Sequence, residues 1–192
     1  MSPALTVGFR TMPYGRALAW HEVACVSAQA LDILRAMRML VLGAGQQGAA
    51  CAYDLVNTPG VEEVRLADLD VSHLPPFLDS LGGGRLTPLP LDVRDRDAVL
   101  SAMRGCTAVM SAVPYYFNGP LAALALEAGA HFCDLGGNTE IVKQQKGLDA
   151  DARRRGLSVV PDCGLAPGLV NVMAQHGIDQ FDRVDAVRLF VG

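Results

Sequence analysis

From Arg38 onward, short apolar runs alternate with longer segments whose apolar positions recur at helical spacing. Met39-Leu40-Val41-Leu42 is the first run. It ends in glycine, and a helix-compatible stretch follows to about Val56, where Thr58-Pro59-Gly60 stops it. Glu63–Asp68 reads as a second strand and Arg85–Asp92 as a third. Pro88 and Pro90 each remove a ladder donor, so the third strand belongs at or near a sheet edge. The pattern continues with an amphipathic helix at Arg94–Arg104, a strand at Ala108–Val113, and an alanine-rich helix at Gly119–Ala128 stopped by Gly129. A fifth strand follows at His131–Leu135, one charged surface helix at Glu140–Arg155 and a sixth strand at Leu157–Pro161. A helix at Pro167–Gly177 and a last strand at Val184–Val191 complete the chain. Strands this apolar, separated by helices, predict an α/β fold: a doubly wound parallel sheet covered on both faces.

Residues 1–36 break this rhythm. After a Pro- and Gly-punctuated start, the spacing predicts a helix with Trp20, Val23, Ala24, Ser27, Leu31 and Leu34 on one face. The segment reads as an N-terminal extension, either an appended helix or sequence upstream of the true start. Composition then narrows the classes. At 51% apolar and 19% charged residues the chain is globular, and a net charge of −4 offers nucleic acid or an anionic membrane no attraction. No stretch reaches 18 uninterrupted apolar residues, since His21-Glu22 interrupts the best candidate, so no membrane span is expected. The start lacks a clean secretory core. A transit peptide stays open, because Glu22 is the first acidic residue. The five cysteines are scattered without a C-x-x-C pair, which predicts reduced thiols and a cytoplasmic location.

The candidate chemistry begins at Gly43-Ala44-Gly45-Gln46-Gln47-Gly48. A lone G-x-G-x-x-G is weak, but here a strand precedes it and a helix follows. Gly43 permits the tight turn, Gly45 lets the backbone approach a pyrophosphate, and Gly48 lets helix and sheet pack closely. The helix N-terminus then offers amides and a positive dipole end to the phosphates. Asp68 lies twenty residues beyond Gly48, at the end of the second strand. A carboxylate there accepts hydrogen bonds from adenosine ribose hydroxyls and repels a 2′-phosphate. No Arg or Lys follows Asp68 directly, so NAD is expected over NADP. The neighbouring Leu69 is expected against the cofactor, and Asp70 either to face solvent or cap the next segment, or to exchange roles with Asp68. Asp92-Val93 and Ala112-Val113-Pro114 end two further strands and should line the same crevice, Asp92 either beside the adenine or as a plain turn acid.

Met39–Gly48, Ala108–Pro114, the D-x-G-G of Asp134–Gly137 and the P-D-x-G-x-x-P-G of Pro161–Gly168 together resemble the saccharopine dehydrogenase family, with the lysine 6-dehydrogenase branch nearest. The resemblance runs from about residue 38 to the C-terminus. It implies a Rossmann domain and NAD(P)-dependent oxidation of an amino-acid amine, the imine formed being hydrolysed to an aldehyde. It also implies a second α/β domain supplying much of the substrate pocket and a homodimer interface. The chain ends about where that domain would begin. The expected layout is therefore the extension at 1–36, the NAD-binding domain at 37–164, and a connecting helix and strand at 165–192, with a complete cofactor site and an incomplete substrate site. The alternative is a stand-alone NAD-binding module without catalysis.

Hydride transfer needs a substrate carbon held against the nicotinamide and a group to take the amine proton. No residue can be assigned that proton. Tyr116 is placed as a wall of the nicotinamide side. Asn118 reads either as a donor to a substrate carboxylate or as a helix N-cap. Gly136, with Asp134 and Gly137, either lets backbone approach the nicotinamide ribose or forms a structural turn. Asp162, Pro167 and Gly168 belong to a rigid loop, either binding a substrate carboxylate at the helix it opens, with Pro167 at the first helical position, or bending towards another domain. His131 and Cys133 share one strand face and Asp134 points to the other, and two ligands do not make a metal site. Cys163 has no basic neighbour and reads as an inert thiol.

Overall fold

The computed structural model describes residues 37–78, 81 and 84–190. The helix expected within 1–36 lies outside the described residues.

Six parallel strands form one sheet in the order β3-β2-β1-β4-β5-β6. They are β1 (Met37–Leu42), β2 (Val61–Asp68), β3 (Leu86–Pro90), β4 (Ala108–Ser111), β5 (His131–Asp134) and β6 (Val159–Val160). The helices are α1 (Gln46–Asn57), α2 (Arg96–Met103), α3 (Asn118–Ala128), α4 (Thr139–Lys146), α5 (Asp149–Arg155) and α6 (Leu169–Ile178), with short 3-10 turns at Pro76–Leu78 and Tyr115–Phe117. Chain order runs outward from β1 to β3, then returns to β4 on the other side of β1. That reversal is the topological switch point at which α/β sheets bind ligands beyond the strands' carboxyl ends.

Strand alternation builds two cores. Val41 faces one side, packing with Ala49, Ala52 and Val56 of α1 and with Val64 and Leu66 of β2. Leu40 and Leu42 face the other, among Val99 and Met103 of α2, Leu121 and Ala125 of α3, and Phe132 of β5. Each fully buried Val, Leu, Met or Phe among them contributes roughly 1.5–3 kcal/mol of transfer free energy. As expected from its prolines, β3 is an edge strand among the described residues, pairing there with β2 alone in the register Asp68↔Pro90.

Three expectations are corrected. The charged segment is two helices rather than one: α4 ends at Lys146 and α5 starts at Asp149, because Gly147 sits at the break, with its amide shared between Lys143 and Gln144 carbonyls. Pro167 is not the first helical residue. Gly168 is the N-cap of α6 and Pro167 precedes it. No strand forms at 184–190, where every residue is exposed and, among the described residues, nothing pairs with the backbone as a ladder. Helix α6 itself buries no residue.

Candidate functional site

The turn after β1 is clamped from both sides. The Gly43 amide donates to the Ala67 carbonyl (2.7 Å), and the Ala112 amide donates to the Leu42 carbonyl (2.7 Å). Gly43 has φ +96°, and a Cβ there would lie 2.9 Å from the Ala112 carbonyl oxygen. A methyl at Gly48 would overlap the Gly43 carbonyl oxygen, so helix α1 leaves the sheet closely enough only because this position is glycine. Gly45 differs: a Cβ would meet nothing within 4 Å. Its emptiness lies on the open side of the turn, where Gly45, Gln46 and Gln47 are exposed and no side chain caps α1. Those first-turn amides therefore point their donors and the helix dipole at solvent-accessible space.

Asp68 ends β2 beside this turn, and its Oδ2 accepts the Ala44 amide at 2.6 Å. Gly43, Gly45, Asp68, Leu69, Asp92, Val93, Ala112, Val113, Pro114 and Tyr116 all line one hollow of about 460 Å³. Nine of the expected cofactor contacts, together with Tyr116, thus converge. Ala44 stands behind the turn on Asp68, and Gly48 is buried under it.

Four further residues line the hollow: Ala67, Leu91, Phe117 and Arg94. Arg94 matters most. Its Nη2 lies 2.6 Å from Asp92 Oδ2, and its backbone amide donates to Asp92 Oδ1 (2.9 Å). These hydrogen bonds hold the Asp92 carboxyl down at about 2. Asp92 is therefore both a turn acid and a wall of the hollow, while Asp95 caps α2 by accepting from the Asp97 and Ala98 amides. The D-x-R spacing is visible in sequence, but nothing along the chain shows that Arg94 shares a hollow with Asp68. Asp70 turns away, accepting from the Ser72 amide and hydroxyl.

The remaining candidates do not join this hollow. Asn118 is buried at 1% exposure, its Oδ1 accepting from the Ser111 hydroxyl at 2.8 Å. It does not N-cap α3, where Phe117 holds that position, and its side chain is turned into the protein rather than towards the hollow. Asp134 is fully buried and accepts from Gly136 N (2.7 Å), Gln145 Nε2 (2.5 Å) and Asp162 N (3.3 Å). Gly136 has φ +73° and a methyl there would overlap Asp162 Oδ1, so this turn is a packing device rather than an open approach. Gly168 donates its amide to Asn171 Oδ1 (3.0 Å), which fills the start of α6 from within the chain. Leu135, Gly164 and Gly168 stack so closely that a methyl on either glycine would overlap backbone.

The thiols are quiet. Burial pushes Cys133 up to about 12, and burial likewise raises Cys163. His131 Nδ1 accepts the Ser158 amide at 3.1 Å, so this imidazole is engaged structurally. Among the described residues no three His, Cys, Asp or Glu converge as metal ligands, and no helix is long and apolar enough to cross a membrane.

Strand order, glycine turn and strand-end acid define a dinucleotide-binding α/β domain of the Rossmann type. The sequence matches the saccharopine dehydrogenase NADP binding domain over residues 39–160, more than half of the chain, and the chain belongs to that family. The fold is also that of saccharopine dehydrogenase (L-Glu forming) from Saccharomyces cerevisiae, with 20% identity over 75% of this chain and a TM-score of 0.60. A putative oxidoreductase from Klebsiella pneumoniae is similar at 23% identity over 65% of the chain, TM-score 0.51. This chain spans 31% of the former structure and 33% of the latter.

Proposed function

We propose that this chain binds NAD in preference to NADP, as the nucleotide-binding part of a dehydrogenase that oxidises an amino-acid amine, of the lysine 6-dehydrogenase kind. The observation carrying the cofactor choice is Asp68: its carboxylate sits in the hollow beside the open glycine turn, hydrogen-bonded to Ala44. The exposed amides at Gly45–Gln47 suit a pyrophosphate, and the empty space over Gly45 suits its close approach. Asp68 would take the adenosine ribose hydroxyls. Leu91, Val93 and Arg94 would border the adenine, and Val113, Pro114 and Tyr116 the middle of the dinucleotide. When bound, the nicotinamide supplies the hydride acceptor. The chain's own groups fix its ring by holding the phosphates and ribose.

Calorimetric titration of the chain with NAD⁺ and NADP⁺ tests the cofactor reading. Tighter binding of NAD⁺ supports it, and equal or inverted affinities remove the preference. The amine-oxidising activity is tested on the parent protein by NADH formation with L-lysine and other amino acids. A parent that reduces NAD⁺ with none of them leaves only the binding role. One observation favours that second reading, a binding module without turnover: of the residues expected to touch substrate, only Tyr116 reaches the hollow.

A further inference from the structure

The hollow holds three charged side chains: Asp68, Asp92 and Arg94. Their placement follows from the sheet edge. The Leu91 amide donates to the Asp68 carbonyl at 2.8 Å, so the chain leaving β3 runs directly beside the acid at the end of β2. Asp92 follows at once, and its carboxylate turns Arg94 back over the same hollow through contacts of 2.6–3.0 Å to the guanidinium Nε and Nη2. The pair is exposed, with 70% of the Arg94 side chain open to solvent. An exposed ion pair is weakly held and exchanges readily for a better anion. A phosphate monoester is one, with close to two charges at pH 7 and a geometry matched to guanidinium.

We propose that Arg94 is the group that reads the 2′-position of the adenosine ribose, held in reserve by Asp92 and overruled by Asp68, so that NAD-over-NADP choice is a contest across one hollow. This rests on the cofactor reading above. With Asp68 charged, the lining carries a net single negative charge, and a 2′-phosphate is repelled. Without that charge the lining is neutral and Arg94 meets the phosphate. The effect requires no movement of the sheet, only the exchange of one carboxylate partner for another.

The test is a variant cycle on the 192-residue chain, reading calorimetric Kd values for NAD⁺ and NADP⁺. The unaltered chain is expected to favour NAD⁺ at least tenfold. Asp68→Asn should move the NADP⁺/NAD⁺ preference at least tenfold towards NADP⁺. Adding Arg94→Ala should take back most of that shift, Arg94→Lys only part of it, and Asp92→Asn should enlarge it by releasing the guanidinium. The NADP⁺ preference of Asp68→Asn should also grow between pH 5.5 and 7.5 as the 2′-phosphate takes its second charge, whose pKa is about 6. Loss of packing at Arg94 would not produce that pH profile. The proposal is overturned if Asp68→Asn gives no shift, or if the shift survives intact in Asp68→Asn/Arg94→Ala. A folded, unaltered chain that binds neither dinucleotide overturns the cofactor reading itself, and this inference with it. A chain that prefers NAD⁺ but fails the cycle leaves the cofactor reading standing.

Discussion

Two glycine turns at the carboxyl end of the same sheet have opposite characters. The turn after β1 presents its polar groups outward: Gly45, Gln46 and Gln47 are exposed and α1 lacks a side-chain cap. The turn after β5 consumes its own. Asp134 takes three donors and Gly136 makes room for Asp162; in the loop after β6, Asn171 likewise closes the start of α6. A buried polar group must be satisfied by something, and the second turn satisfies its groups from within the chain. The first leaves donors for a guest. Glycine content alone does not distinguish a binding turn from a packing turn; the destination of the backbone amides does.

The contrast can be broken at several points. The largest effect is expected from Gly48→Ala. The added methyl overlaps the Gly43 carbonyl, a backbone atom that cannot yield cheaply. Overpacking of this kind costs about 3 kcal/mol, and urea unfolding should show it together with loss of NAD⁺ binding. Asp134→Ala comes next. It strips the acceptor from Gln145, which is 2% exposed, and from two backbone amides. Leaving such groups unsatisfied costs roughly 1–3 kcal/mol, so the urea midpoint should fall while NAD⁺ affinity changes less than tenfold.

Gly45→Ala sharpens the comparison by inverting that result. With no protein atom near the new methyl, stability should stay within about 0.5 kcal/mol. NAD⁺ affinity should fall at least tenfold, about 1.4 kcal/mol, because the methyl stands where the pyrophosphate approaches. Equal affinity of this variant by calorimetry would place the phosphates elsewhere. The smallest effect is the pH response of Cys133. Its folded value is raised to about 12 from the ordinary 9.0. The unfolded thiol therefore ionises first, and the favourable contribution present below pH 9 declines as pH rises towards 12. Urea midpoints between pH 8.5 and 10.5 should slope downward slightly more in the unaltered chain than in Cys133→Ala.

Much of the fold was legible before any coordinates. Apolar runs between helical stretches, the glycine spacing, and prolines that permit only an edge strand are local signals, and β1 to β5 fall where those signals sit. The acid at Asp68 was legible for the same reason, as strand end and residue count fix it. The errors have a common physical cause. Asn118 looks like a cap in sequence, but the 3-10 turn at Tyr115–Phe117 carries the chain into α3 and turns the amide inward onto Ser111. The segment 184–190 is apolar enough for a strand and has no neighbour to pair with among the described residues. Strand formation needs a partner, and composition does not supply one.

The sequence by itself determined the alternation of elements, the glycine turn and the acid twenty residues on, because each depends on neighbours along the chain. The tertiary structure alone decided that Arg94 shares a hollow with Asp68, and that Asp134 spends its carboxylate on Gln145 and Asp162. Those residues are separated by loops and whole elements. Only sheet order and register bring them together.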